Sequence, residues 1–236
     1  MATTLHSQLK LHYVRNTERH EVTVGSFRID AIDRWNRLIE IQCAPLSSIR
    51  QKVGELCKSH RVLVVKPFSA RKKIIRMASA DGPVSSIRSS PQRSTVLRVF
   101  EELVHFCDVF PHPKLLVDVL LTEQTEIRIP SNKQRSRYQV LDRTLISVIS
   151  RTRLSSSDDL WHLLDADVPE RFSTADLALA AKIPRWLAQK AVYCFRRMNF
   201  LEVCGRHGNS VIYQKIGYQK IGGSRSSASR SSHRAA

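Results

Sequence analysis

The chain has 236 residues, with 38 Lys and Arg against 21 Asp and Glu, a formal net charge of +17, and 42% apolar residues. That apolar fraction supports a packed core and excludes a wholly disordered chain, while no apolar run approaches the length of a bilayer span. A balance this basic points to a polyanionic partner, nucleic acid before a membrane surface.

Leu5, Leu9 and Tyr13 stand at helical spacing and predict an amphipathic helix over 4–14. Residues 21–24 and 27–32 alternate about Gly25-Ser26, which predicts a hairpin with a two-residue turn. The run 37–42 is a third strand, rich in β-branched bulk. After Pro45, the stripe Leu46, Ile49, Val53 and Leu56 predicts a helix over 46–60. The almost wholly apolar 61–65 reads as a strand buried on both faces, with a further strand over 73–77. The Ser-, Pro- and Gly-rich 81–94 predicts a loop, 95–106 a helix, and 115–129 a long strand or a bent pair. The basic run SNKQRSR at 131–137 marks a domain boundary. The class is therefore α/β (α+β), a mixed sheet flanked by helices over 1–130, with a connecting segment over 131–155.

The last third reads differently. Ser157-Asp158-Asp159 caps a helix to 164, and Ser173 caps a second that packs through Leu177, Ala180 and Ala181. Pro184 suits the first turn of a third helix, whose stripe is Leu187, Ala191, Phe195 and Met198. Two strands about the turn 205–209 complete the order helix, turn, helix, hairpin. That order is a winged helix-turn-helix domain over 156–216. YQKIG is duplicated at 213–222, and the acid-free Ser/Arg-rich 217–236 predicts a disordered tail.

Five cysteines, an odd number without C-x-x-C spacing, read as reduced thiols of a cytoplasmic protein. His105, Cys107 and His112 lack metal-ligand spacing and read as core or surface residues. No phosphate-binding loop, dinucleotide fingerprint or nucleophile elbow is present.

Two acids carry the chemical expectation. Asp30 and Glu40 lie in neighbouring apolar strands, and like charges brought together there call for a cation between them. A hard divalent ion answers that need through carboxylate and carbonyl oxygens. Alternation places Gln42 on the face of Glu40. The run GSFRIDAI…RLIEIQ, with the helix holding Gln51-Lys52 and the strand RVLVVKP, resembles the PD-(D/E)XK nuclease superfamily, the restriction-endonuclease-like fold, over residues 4–78. The resemblance implies Mg²⁺ (or Mn²⁺) held by Asp30, Glu40 and the Ile41 carbonyl, and activation of water for phosphodiester hydrolysis. Gln42 stands where the superfamily usually has Lys. A neutral amide orients water but carries no charge, and Lys52 is placed to supply the missing cation. Glu21 or Glu18 matches a further acid of the superfamily. The alternative is that Asp30 and Glu40 pair with Arg28, Arg37 or another base.

Ten Lys and Arg against two acids between positions 50 and 92 predict a phosphate-contacting face, with Arg71, Lys72 and Lys73 at its centre. On the third C-terminal helix, Arg185 and Gln189 are placed to read base edges and Lys190, Arg196 and Arg197 to contact phosphates. Arg206 and His207 form the tip of the wing. The expectation is a cytoplasmic, nucleoid-associated DNA-binding protein acting on duplex or branched DNA as a Mg²⁺-dependent endonuclease, without membrane contact. A homodimer follows if two nuclease domains pair to cut both strands. The alternatives are a non-enzymatic DNA-binding regulator and a basic RNA-associated protein.

Overall fold

A computed structural model describes residues 3–131 and 137–216. Helix α1 (Thr4–Tyr13) buries Leu5 and Leu9. Strands β1 (His20–Val24) and β2 (Phe27–Ile32) form the expected antiparallel hairpin. Val24 faces Phe27, which leaves the two-residue turn, with Gly25 at φ +59°, where a side chain would be strained. Strand β3 (Leu38–Ile41) adds antiparallel to β2, and α2 (Arg50–Ser59) makes the crossover to the parallel strand β4 (Val62–Met77). The 81–94 segment contains β5 (Val84–Ser89), which pairs antiparallel with the far half of β4. A short α3 (Val99–Leu103) precedes β6 (Leu115–Pro130), parallel to β4, and β7 (Tyr138–Leu154), antiparallel to β6. The sheet order is β1-β2-β3-β4-β6-β7, with β5 paired to β4 beyond the end of β3. This is the α+β class, a mixed sheet flanked by helices.

Three expectations about this sheet are corrected. The strands expected over 61–65 and 73–77 are one strand, β4, running through Pro67. Gln42 N donates to Val65 O, so alternate residues 63, 65 and 67 turn their main chain toward β3. Pro67 lies past the last β3 pair, and its missing N–H falls where no partner strand remains. The loop over 81–94 is largely β5. The connecting segment over 131–155 is largely β7, a full member of the sheet; residues 132–136 lie outside those described.

The helices cover opposite faces. Leu5 and Leu9 pack with Ala31, Ile39, Ile41, Leu63 and Val65. The other face gathers Val53 and Leu56 of α2 with Phe100 and Phe106. α1 also reaches β7: Thr4 N donates to Asp142 Oδ1 at 2.9 Å, and Leu145 N to Gln8 Oε1 at 2.7 Å.

The C-terminal elements are α4 (Ser157–Leu163), α5 (Thr174–Ala180), α6 (Arg185–Arg197), and the hairpin β8 (Leu201–His207) and β9 (Ser210–Lys215). The cap of α4 is Ser156 rather than Ser157, in a capping box with Asp159; Ser173 and Asp176 make the same box for α5. The hairpin turns at Gly208-Asn209, later than expected, with Gly208 at φ +56°. This unit shares the core of the sheet's α2/α3 face. Phe195 lies 5.6 Å from Phe100 and 5.3 Å from Trp161 between ring centres. The tail 217–236 lies outside the described residues.

Candidate functional site

Strands β2 and β3 pair at Ala31–Ile39 and Ile32–Leu38, and then part. Asp30 fills the gap with its side chain: Oδ2 accepts from Ile41 N at 2.7 Å and lies 3.1 Å from His6 Nε2 of α1. Burial favours the neutral acid, but these two bonds outweigh it and hold Asp30 below the usual carboxylate range. Glu40 behaves oppositely. Lys52 of α2 sets its Nζ 2.7 Å from each carboxylate oxygen and 2.6 Å from Arg28 O. Burial and the charge of Asp30 nevertheless keep Glu40 above the usual range, against the pull of Lys52. The two acids are thus driven apart in proton affinity, the condition that separates an ionised group from a proton donor.

Two further groups complete the cluster. Glu21 receives Lys10 and, at 2.7 Å, Arg28 Nε; the Lys10 bond is the main reason its pKa falls. Glu21 adopts φ +53°, a conformation costing a non-glycine residue about 1–2 kcal/mol. His6 Nδ1 is buried without a hydrogen-bond partner among the described residues.

Of the residues expected here, Asp30, Glu40 and Lys52 come together and Glu21 lies beside them. The bases paired with the two acids are His6 and Lys52 rather than Arg28 or Arg37; Arg37 holds Asp33 at 2.7 Å. Gln42 does not join the site. Its amide donates to Pro45 O at 2.7 Å and to Ser48 Oγ at 2.5 Å, closing the turn before α2. Ile41 turns its main chain toward β2, because Leu38 N and Gln42 N both donate toward β4. Its amide is the group held by Asp30.

These donors do not fit a resident Mg²⁺ or Mn²⁺ as they are arranged. Both oxygens of Glu40 face one ammonium, and Asp30 Oδ2 already has two partners. Among the described residues no three His, Cys, Asp or Glu side chains gather in metal-holding geometry, whereas Mg²⁺ needs near-octahedral oxygen ligation.

The basic residues divide. Arg71 is exposed and pairs loosely with Glu123 at 3.5 Å, and with Lys73 and Arg88 it lines a shallow groove. Lys72 turns inward to Glu126 at 3.1 Å and is not the open phosphate contact expected of it. On α6, Arg185, Gln189, Tyr193 and Arg196 line a groove of about 480 Å³ against Asn209 and Ser210 of the hairpin. Arg197 also lines this groove while its guanidinium lies 2.5 Å from Asp108, in the turn after α3. Lys190 is corrected: it faces α3, 3.8 Å from Glu101. Arg206 and His207 are exposed near the hairpin turn.

Sequence reasoning missed His6 and Lys10, because only the packing of α1 on the sheet brings them to acids far along the chain. It also left Lys66 unassigned. The one available signal was that the apolar run 62–65 continues straight into this lysine, so its side chain starts inside the core.

The signature of a domain of unknown function (DUF8091) matches residues 3–155. The matched segment ends with β7, which agrees with β7 completing the sheet. A protein of Treponema pallidum (strain Nichols), described as uncharacterized, is 28% identical over 222 residues, covering 90% of this chain and 85% of the relative. No solved structure matches the chain. Among the described residues no helix is long and apolar enough to cross a membrane.

Proposed function

The chain belongs to the DUF8091 family, and we propose that it is a DNA-binding protein whose C-terminal unit works as a winged helix, presenting α6 to duplex. One observation carries this reading: the outer face of α6. Arg185, Gln189, Tyr193 and Arg196 recur every three or four residues on one side, facing the hairpin, and among the described residues no acid lines that groove. Arg185 and Arg196 have no ion-pair partner among the described residues, so their guanidinium groups are open to phosphates or guanine edges. The Lys190–Glu101 pair braces α6 against α3, and Arg197, at the end of the groove, pairs with Asp108 in the turn after α3. Arg206 and His207 extend the basic edge as the wing.

The test is duplex binding followed by fluorescence anisotropy between about 50 and about 200 mM salt. R185A/R196A is expected to weaken binding at least about tenfold and to flatten the salt slope by about two. Q189A is expected to relax sequence preference instead. Wild-type affinity in R185A/R196A would refute the reading, and equal affinity for RNA at both salt concentrations would move it to an RNA-associated role.

A second reading rests on the Lys52–Glu40 contact. An ammonium from α2, a carboxylate that protonates readily, and an ionised Asp30 meet where β2 and β3 part. This supports a restriction-endonuclease-like domain that hydrolyses phosphodiesters. In this reading Lys52 gives up one of its bonds to Glu40 to stabilise charge developing on a phosphoryl oxygen, and the Glu40 oxygen so released exchanges the proton of water. Nicking of supercoiled, single-stranded and branched DNA with Mg²⁺ or Mn²⁺ tests it. E40Q and D30N are expected to abolish cleavage; a wild type that cuts none of these substrates leaves a non-enzymatic regulator.

A further inference from the structure

Strand β3 stops at Ile41, while β4 and β6 run on beside each other for another ten or so residues, by the register of their pairing. The space left beside β4 is closed from the α3 side and by β7, and forms a polar pocket of about 260 Å³. Lys66, Lys72, Arg98 and Arg143 line it, with Glu102 as its one carboxylate. This pocket shares no lining residue with the α6 groove.

We propose that the pocket binds the phosphate dianion of a phosphate monoester, either free in solution or at the end of a nucleic-acid strand. Three observations lead there. The first is Lys66, whose side chain is only 4% exposed. Its ammonium has three N–H donors. One meets Ala44 O at 2.6 Å and one meets Glu102 Oε1 at 3.0 Å, which leaves the third for an occupant. Glu102 is itself fixed, because its other oxygen accepts from Leu46 N at 2.8 Å.

The second is the charge balance. Lys72, Arg128 and Arg143 share the single carboxylate of Glu126, at 3.1, 2.5 and 2.8 Å. Arg98 pairs with Glu101 at 3.2 Å, and Lys66 pairs with Glu102. Four cations therefore line the pocket against one lining carboxylate, and the two carboxylates behind them are each shared with a further cation, Glu126 with Arg128 and Glu101 with Lys190, so positive charge is in excess around the buried Lys66. A phosphate monoester at neutral pH carries between one and a half and two negative charges, whereas a backbone diester carries one. The third is the rim. Arg98 is held by Ser94 Oγ at 3.2 Å, and Ser69 and Gln92 offer neutral donors around the mouth. The neighbouring Cys43 thiol adds no negative charge, since burial pushes it up to about 11.

The experiment uses the full chain and three probes: AMP, adenosine, and one oligonucleotide in 5′-phosphorylated and 5′-hydroxyl forms. Calorimetric titration is expected to show saturable AMP binding and none for adenosine. R98Q and R143Q keep hydrogen-bonding side chains at positions 40% and 36% exposed, and Glu126 keeps Lys72 and Arg128 in R143Q; each is expected to weaken AMP at least about tenfold at a temperature below its own measured unfolding midpoint. K66M is expected to abolish binding, but a variant that fails to fold leaves the two arginine variants decisive. Preference for the phosphorylated oligonucleotide identifies a strand end as the source, and AMP binding without that preference identifies a free monoester. Equal binding of AMP and adenosine, no saturable AMP binding, or wild-type affinity in both R98Q and R143Q would overturn the proposal. R185A/R196A is expected to leave AMP binding intact, so failure of this pocket and failure of the α6 reading are told apart.

Discussion

Replacing Lys52 with methionine removes the cation held against both oxygens of Glu40 and leaves a carboxylate 11% exposed beside Asp30. Breaking a fully buried pair by deleting one partner costs about 3–5 kcal/mol. Lys52 is itself 21% exposed, and Glu40 can escape by taking a proton, so we place the cost at about 2–3 kcal/mol at about pH 8. The pH dependence follows from the direction of the shift. Glu40 already holds its proton more tightly folded than unfolded, so between its ordinary and its raised pKa the native state binds more protons. Stability therefore falls as pH rises through that window, and removing Lys52 widens the window upward. The penalty should grow from under about 1 kcal/mol at about pH 5 to its full value at about pH 8. Urea unfolding of wild type, K52M, E40Q and the double variant at both pH values measures it. E40Q/K52M should recover most of the loss, because no buried charge remains. A K52M penalty equal at the two pH values, or a double variant as unstable as the sum of the singles, would refute this account of the pair.

Three further outcomes follow from the packing. Phe195→Ala opens a cavity between Phe100 and Trp161 and is expected to cost about 3–5 kcal/mol. Because that core is continuous, the sheet and α6 should melt together, as reported by tryptophan fluorescence and far-ultraviolet circular dichroism. Ser173→Ala removes the hydroxyl that caps α5 through Ala175 N and Asp176 N, and should lower stability by about 1 kcal/mol in a denaturant titration. Burial raises both Cys43 and Cys57 to about 11. Iodoacetamide at neutral pH should therefore leave both unmodified in the native protein and alkylate both after denaturation, as read by peptide mass spectrometry.

The elements legible in the sequence are those whose burial follows a local rule. The β1–β2 hairpin shows because alternation on both sides meets at Gly25-Ser26. Helix α2 shows because its stripe matches a helical period, and that stripe also fixes which way Lys52 points. Pro67 and the charged run 71–73 disguise β4, since only the early end of β3 makes a proline tolerable there. β7 is more deceptive. As an edge strand it leaves most side chains part-exposed, including Ile146 and Ile149, so it carries no buried face for a pattern to reveal. At the site, Asp30 and Glu40 stood out because acids in apolar strands need partners. The identity of the partner does not follow, because His6 reaches Asp30 only through docking of α1. Gln42 shares a face with Glu40 on an ideal strand, but a closing turn at Pro45 captures its amide first. The outward periodicity of α6 is correct; that α3 approaches the flank holding Lys190 is a tertiary fact with no local trace.

The bonds from α1 to β7 join residues 138 and 137 positions apart in the chain. On a ribosome the helix is made well before this strand, the last of the sheet. At roughly 5–20 residues per second, on the order of ten seconds separate the two. During that interval Leu5 and Leu9 can rest on β2, β3 and β4, but the side of the helix meant for β7 faces solvent or a chaperone. The nascent domain thus leaves one seam open until translation has passed β7. Codon changes that slow elongation through residues 138–154 lengthen that exposure and lower the yield of folded protein, without altering a single contact of the finished molecule.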